Sequence, residues 1–163
     1  MSPNRMRPHV VVYPEDDANH IIALEFVKHL PAQNARWIQI FPVGGGWLRT
    51  LKKFMDDCSD MMIHDKRRAV LCVDFDNHAA RRAEITNKIP ESLQQRVYVL
   101  GSLTNPEALV RNCGMNYSEI GECLASECKT SRYELWENEL LKHNAAEMAR
   151  LRRDVYSLLF AEK

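Results

Sequence analysis

Asp74 and Asp76 stand two residues apart at the end of an unbroken apolar run, 69–73. Alternate residues of an extended chain point to the same side, so this spacing sends both carboxylates into one cleft and turns Phe75 back toward a core. Paired carboxylates suit a hard divalent cation. Mg²⁺ takes a few carboxylates together with water and phosphate oxygens, and one or two such ions can polarise a phosphodiester and stabilise its leaving oxygen. Further acids follow other apolar runs: Glu15, Asp16 and Asp17 come after 10–13, and Glu107 comes just past 97–100. Acidic neighbours raise the proton affinity of Glu15, which suits it to act as a general base or acid. Acids at strand ends and helix starts also serve turns and helix dipoles, which accounts for Asp16, Asp17 or Glu107 taken singly. It accounts less well for two acids closing a buried strand, because they repel unless paired or metal-bound.

The elements that must position these acids alternate. The β-branched and aromatic run 10–13 predicts a strand, and 15–30 predicts a helix, with acids in its first turn and Pro31 after its end. A second strand at 37–41 runs into Pro42-Val43-Gly44-Gly45-Gly46, after which 47–62 carries a helical period. The third strand, 69–73, is continuously apolar, as expected of a strand covered on both faces. A helix over 79–88 follows, then a strand at 97–100, then a helix opened by Asn105-Pro106-Glu107 with a capping residue and proline in the first turn. This order predicts an α/β fold: a Rossmann-like open parallel sheet of about four strands with helices on both faces. Residues 9–113 form the core of a single domain spanning 1–163, and 114–163 form a helical C-terminal extension, with helices at 117–128 and 133–160. The last helix carries an apolar stripe (Trp136, Leu140, Met148, Leu151, Val155, Leu158) interrupted by His143 and Asn144. That stripe packs on the domain or offers a homodimer or partner surface.

In open α/β sheets ligands sit beyond the carboxyl ends of the strands, which is where the acids fall. Gly44, Gly45 and Gly46 sit at that edge and would let backbone approach a ligand closely. Arg49, Lys52 and Lys53 after the glycines, with Arg81 and Arg82 after Asp76, are the candidate phosphate-binding cations. Lys66, Arg67 and Arg68 precede the third strand and are expected on a solvated face at the opposite end. Trp47 is expected to face the core rather than stack on a base, and His20 and His78 to be ordinary hydrogen-bonded surface residues.

Composition narrows the rest. Lys plus Arg equals Asp plus Glu at 22 each, so any nucleic-acid binding must come from a local patch. Five cysteines, an odd number without a CxxC pair, fit reduced thiols in a cytoplasmic protein, and Cys113, Cys123 and Cys128 match no zinc-finger spacing. No apolar stretch reaches the roughly 20 residues of a membrane span, and the start of the chain has no signal-peptide pattern.

At the acids the chain resembles the Toprim domain of bacterial primases, type II topoisomerases, small ribonucleases and the overcoming-lysogenization-defect nucleases, the last group most closely. The pattern is Glu15 after the first strand, Gly44-Gly45-Gly46 after the second, Asp74-Phe75-Asp76 after the third and Glu107 after the fourth. The resemblance covers roughly residues 9 to 113. It implies a Mg²⁺- or Mn²⁺-dependent nuclease, or a related phosphoryl-transfer enzyme, acting on DNA or RNA. Glu15 would be the acid/base residue, Asp74 and Asp76 metal ligands, and Glu107 a further ligand. The family glutamate is normally followed by glycine, where this chain has Asp16. An acid often comes four residues on, where it has Asn19; Asp16 or Asp17 would have to substitute. Many such relatives are fused to an ATPase. This chain has no GxxxxGK[ST], so an ATPase, where needed, would be a separate partner, and the family's habits suggest phage defence. Two other readings remain: a dehalogenase-type phosphatase, whose DxD is normally followed by different residues than Asn77-His78, and a catalytically inactive Toprim-like module acting through its C-terminal helix.

Overall fold

The computed structural model describes residues 6–162. Its framework is a parallel four-stranded sheet in the order β2-β1-β3-β4, formed by β1 (His9–Pro14), β2 (Ile38–Ile40), β3 (Arg67–Cys72) and β4 (Val97–Leu100). The expected α/β architecture is therefore present. Alternation along the strands builds two cores. Val11, Tyr13, Ala69, Leu71, Val73, Val97 and Val99 face one side, where Leu51, Phe54, Ile85 and Leu93 meet them. Val10, Val12, Val70 and Tyr98 face the other, against Leu30, Val155, Leu159 and Phe160. Burial on both faces is why these strands read as apolar runs rather than as alternating patterns. Phe75 continues the first set and is fully buried, as its place between two aspartates predicts.

Several boundaries differ from the pattern in the sequence, each for a local reason. The first helix, α1 (Asp17–Lys28), starts later because Asp16 is its N-cap and accepts from the Asn19 amide at 2.8 Å. Glu15 stays on the extended chain, its amide bonded to Cys72 O at 2.9 Å. The helix expected over 47–62 is two, α2 (Trp47–Asp56) and α3 (Cys58–Ile63). They part at Asp57, whose carboxylate accepts from the buried Tyr13 hydroxyl at 2.8 Å. Beyond β3, α4 (Arg81–Lys88) and the short α5 (Glu91–Gln94) lead to β4. The helices α6 (Pro106–Cys113) and α7 (Tyr117–Thr130) follow it.

The long final helix is the largest correction. Residues 134–141 form turns and a bend, Lys142–Asn144 a single 3₁₀ turn, and the helix proper is α8 (Ala145–Phe160). Glu127, buried in α7, accepts from the amides of Leu135 and Trp136 at 2.6 and 3.0 Å and pins this segment away from a helical path. Asn144, 1% exposed, accepts from the Gly101 amide at 3.2 Å and donates to Gly101 O at 2.9 Å. The interruption at His143 and Asn144 is thus the helix start. The apolar stripe of α8 closes on this chain's own sheet through Val155, Leu159 and Phe160.

Arg67 also departs from expectation. It is 3% exposed rather than solvated. Its Nε donates to His9 Nε2 at 3.0 Å, and its guanidinium lies 3.6 Å from Asp60. Among the described residues no helix is long and apolar enough to cross a membrane.

Candidate functional site

At the carboxyl edge of the sheet the glycine turn folds back over the end of β1. The amides of Gly44, Gly45 and Gly46 donate to Pro14 O (2.9 Å), Glu15 O (2.8 Å) and Glu15 O (3.4 Å). Gly44 lies so close to α2 that a Cβ there would stand 2.2 Å from Thr50 Oγ1. The close approach expected of these glycines is therefore to their own chain. The turn holds Glu15 in place instead of offering amides to a ligand.

After β3 the chain keeps tracking the extension of β4, with the Phe75 amide on Ser102 O and the Asp76 amide on Thr104 O at 3.0 and 3.1 Å. Asp76 and Asn77 then take left-handed backbone angles (φ 50° and 57°), which short polar side chains tolerate best. Asp74 is buried and Asp76 is exposed. The Asp74 amide donates to Glu15 Oε2 at 2.6 Å, joining the two strand ends. Asn19 Nδ2 donates to Asp74 Oδ1 and to Asp16 Oδ1, both at 3.0 Å. The residue standing where an acid was expected is thus a neutral donor tying two carboxylates together.

Electrostatics follow from this crowding. Burial, and then the charges of Glu15, Asp16 and Asp76, push the Asp74 carboxyl up to about 7 against the opposing Asn19 hydrogen bond. Glu15 is raised too, first by burial and then by Asp16 and Asp76; the Asp74 amide and the Arg81 charge oppose this. Arg81 is the cation facing the corner. Its Nη1 lies 3.5 Å from Asp76, its guanidinium stacks 4.3 Å over the Trp47 ring, and its buried Nε, 3.7 Å from Glu84 Oε2, has no hydrogen-bond partner among the described residues.

Of the residues singled out by sequence, Glu15, Asp16, Asp74, Asp76 and Arg81 come together. Glu107 is exposed in the first turn of α6 and joins the edge through Tyr117, the first residue of α7. The Tyr117 phenol is raised by burial and then by Glu107, with Asp16 and Asp74 adding to it. Neither Tyr117 nor the linking role of Asn19 was foreseen. The one available signal was the capping pair Asn116 and Glu119, which fixes the start of α7 at Tyr117. Asp17 is exposed in the first turn of α1, where it suits the helix dipole. Arg49 is exposed beside the glycine turn, Lys52 pairs with Asp56 at 2.9 Å, Lys53 bonds Val43 O at 2.8 Å, and His78 lies 2.7 Å from Glu84.

Arg82 is the clear misplacement among the expected phosphate ligands. It turns inward, donating to Val99 O (3.0 Å), His143 O (3.0 Å) and Asn144 Oδ1 (2.7 Å), with its guanidinium 4.9 Å from the Phe75 ring. Arg82→Ala should therefore lower stability by about 2–3 kcal/mol, because it strands buried acceptors. Oligonucleotide affinity should be nearly unchanged. Arg81→Ala, which also removes the stack on Trp47, should be the variant that loses oligonucleotide affinity, and anisotropy of a labelled oligonucleotide separates the two.

Among the described residues no three His, Cys, Asp or Glu side chains form a ready-made metal cage. The donor set still fits a hydrated hard cation, because Mg²⁺ needs only one or two carboxylates besides water and substrate phosphate. Glu15 and Asp74 each use one oxygen within the protein, and the charges crowding both are those a cation would relieve. Comparison with family models, curated proteins and solved structures finds no match for this chain.

Proposed function

We propose that the protein is a divalent-cation-dependent nuclease, or a closely related phosphoryl-transfer enzyme, acting on nucleic acid at the Glu15–Asp74–Asp76 corner. The observation that carries this reading is the buried Asp74 carboxyl, pushed up to about 7 among three other acids at the edge where open sheets bind ligands. The Toprim resemblance of the same residues points the same way. Asp74 and Asp76 would hold Mg²⁺ or Mn²⁺, which would supply Lewis-acid polarisation of the phosphoryl group and stabilisation of the leaving oxygen. Glu15, its proton affinity raised and its carboxylate fixed by the Asp74 amide, moves a proton to or from the oxygen at the scissile phosphate. Arg81, held flat on Trp47, contacts a phosphate oxygen once it leaves Asp76. Glu107, beside Tyr117 at the same edge, would be a further cation ligand. The balanced net charge leaves backbone attraction to a local patch of Arg81, Arg49 and Lys52. A reducing, cytoplasmic setting accords with the five free cysteines.

The inactive-module reading draws on one observation, the Glu15 carboxylate already engaged by the Asp74 amide. The two readings part on a single assay. Purified protein with Mg²⁺ or Mn²⁺ should cut plasmid DNA or single-stranded RNA, lose that activity in EDTA, and drop on the order of a hundredfold in Glu15→Gln. Glutamine keeps an acceptor for the Asp74 amide, so folding should survive. Cleavage that is absent, or indifferent to E15Q, rejects the enzymatic reading.

A further inference from the structure

On the opposite face of the sheet from Phe54 and Ile85 lies a cavity of about 450 Å³. Val12, Val70 and Leu100 form its floor, while Phe26, Leu124 and Trp136 rise around it. Small residues line it on two helices: Ala23 on α1, and the exposed Ala145 and Ala149 one turn apart on α8. Protein interiors pack like organic crystals, with few voids larger than a water molecule. Left unfilled, the pocket would hold its Val, Leu and Phe lining against water, since it opens to solvent beside the exposed Ala145 and Ala149, and its volume lies within the range of small-molecule sites.

The lining also limits the occupant. Glu137 and Lys142 touch the cavity but are exposed. Arg152 is already engaged by Cys128 O at 3.0 Å and Ser131 Oγ at 2.8 Å and stacks on Tyr156. No inward charge among the described lining residues awaits a partner, so a charged ligand would be buried uncompensated. One polar group does face an open need: the hydroxyl of Ser102, a lining residue 5% exposed, whose buried Oγ has no hydrogen-bond partner among the described residues.

We propose that this cavity binds a small, uncharged, mainly hydrocarbon molecule whose single polar group hydrogen-bonds to the Ser102 hydroxyl. The site is formed by other residues than the acidic corner, apart from the shared Asn19, and it stands whether or not the protein cuts phosphodiesters.

Trp136 in the wall provides the readout, since Trp37 and Trp47 do not line the cavity. Bromodecanol, an uncharged alkanol with a heavy-atom quencher, should quench part of the full chain's tryptophan emission saturably. Trp136→Phe should remove that part and leave the rest unaffected. Ala149→Phe, which fills the space, should weaken the response at least tenfold while far-UV dichroism stays native; if that variant fails to fold, Ala23→Leu serves the same purpose. Decanoate should compete at least tenfold less well than decanol. Quenching that rises linearly without saturation, or strikes all three tryptophans alike, overturns the proposal. So does quenching that persists in the folded, filled variant, or decanoate competing as well as decanol.

Discussion

Asp74→Asn should yield a protein that is both more stable and inactive. The stability half follows from the raised carboxyl. Its unfolded value is near 3.8 and its folded value about 7. An acid raised in the folded state contributes stability that is complete below the unfolded value and is lost as pH rises through the folded one. At pH 8 the native protein therefore carries an ionised, buried Asp74 surrounded by Glu15, Asp16 and Asp76, and asparagine removes that charge while still able to accept from Asn19. Urea unfolding without metal should show the variant more stable by a few kcal/mol at pH 8, on the order of the shift itself. The two proteins should converge near pH 4. The activity half follows from the proposed cation. Cleavage should fall roughly a thousandfold, which corresponds to about 4 kcal/mol of barrier. Mg²⁺ binds the ionised form, so it should stabilise the native protein more at pH 8 than at pH 6 and leave the variant unmoved. A variant destabilised at pH 8, or a native protein indifferent to Mg²⁺ at both pH values, would show that Asp74 is a structural hydrogen-bonding residue. Residues whose removal stabilises a fold at the expense of activity mark sites held for function.

The pattern-level features were legible because they rest on period. The unbroken apolar runs at β1, β3 and β4 are what two-sided burial demands, and the two-residue spacing of Asp74 and Asp76 places Phe75 in the core for the same reason. What was not legible depends on pairs distant in sequence. Arg81 and Arg82 look equivalent in the chain, yet neighbours on a helix point about 100° apart. One meets Trp47 and Asp76, while the other meets Asn144, 62 positions away. Arg67 reads as part of a surface basic run until His9, 58 positions back, is seen to accept from it. The break before α8 is set by Glu127 and Asn144 bonding to amides outside their own elements, which no helical period reports. Asn19 is the instructive case at the site. The missing acid called for Asp16 or Asp17 to substitute, but the Asn19 amide instead bridges Asp16 and Asp74 and keeps two carboxylates in one place.

Gly101→Ala should be the most damaging single-methyl change at the carboxyl edge. A Cβ on Gly101 would stand 1.7 Å from Val73 O and 2.8 Å from Val73 C, contacts with backbone that no rotamer can relieve. Relief requires β3 and β4 to part where they deliver Asp74, at the bonds from Val73 N to Leu100 O (2.9 Å) and from Phe75 N to Ser102 O (3.0 Å). The carbonyl of Gly101 also accepts from His143 Nε2 at 2.8 Å, so the start of α8 would shift with it. The expected cost is about 3 kcal/mol or more, above the usual range for an added methylene because the obstacle is main chain. In a domain of this size that lowers Tm by on the order of 10 °C. Gly114→Ala is the matched control. It sits at φ 71° with no atom near its Cβ position, so only left-handed strain applies, roughly 1–2 kcal/mol. Calorimetry should rank G101A well below G114A, and the surviving folded G101A should bind Mg²⁺ more weakly because Asp74 is displaced. Equal losses in the two variants would mean that the strand ends yield freely, and that the geometry holding Glu15 against the Asp74 amide is not the rigid platform a cation site needs.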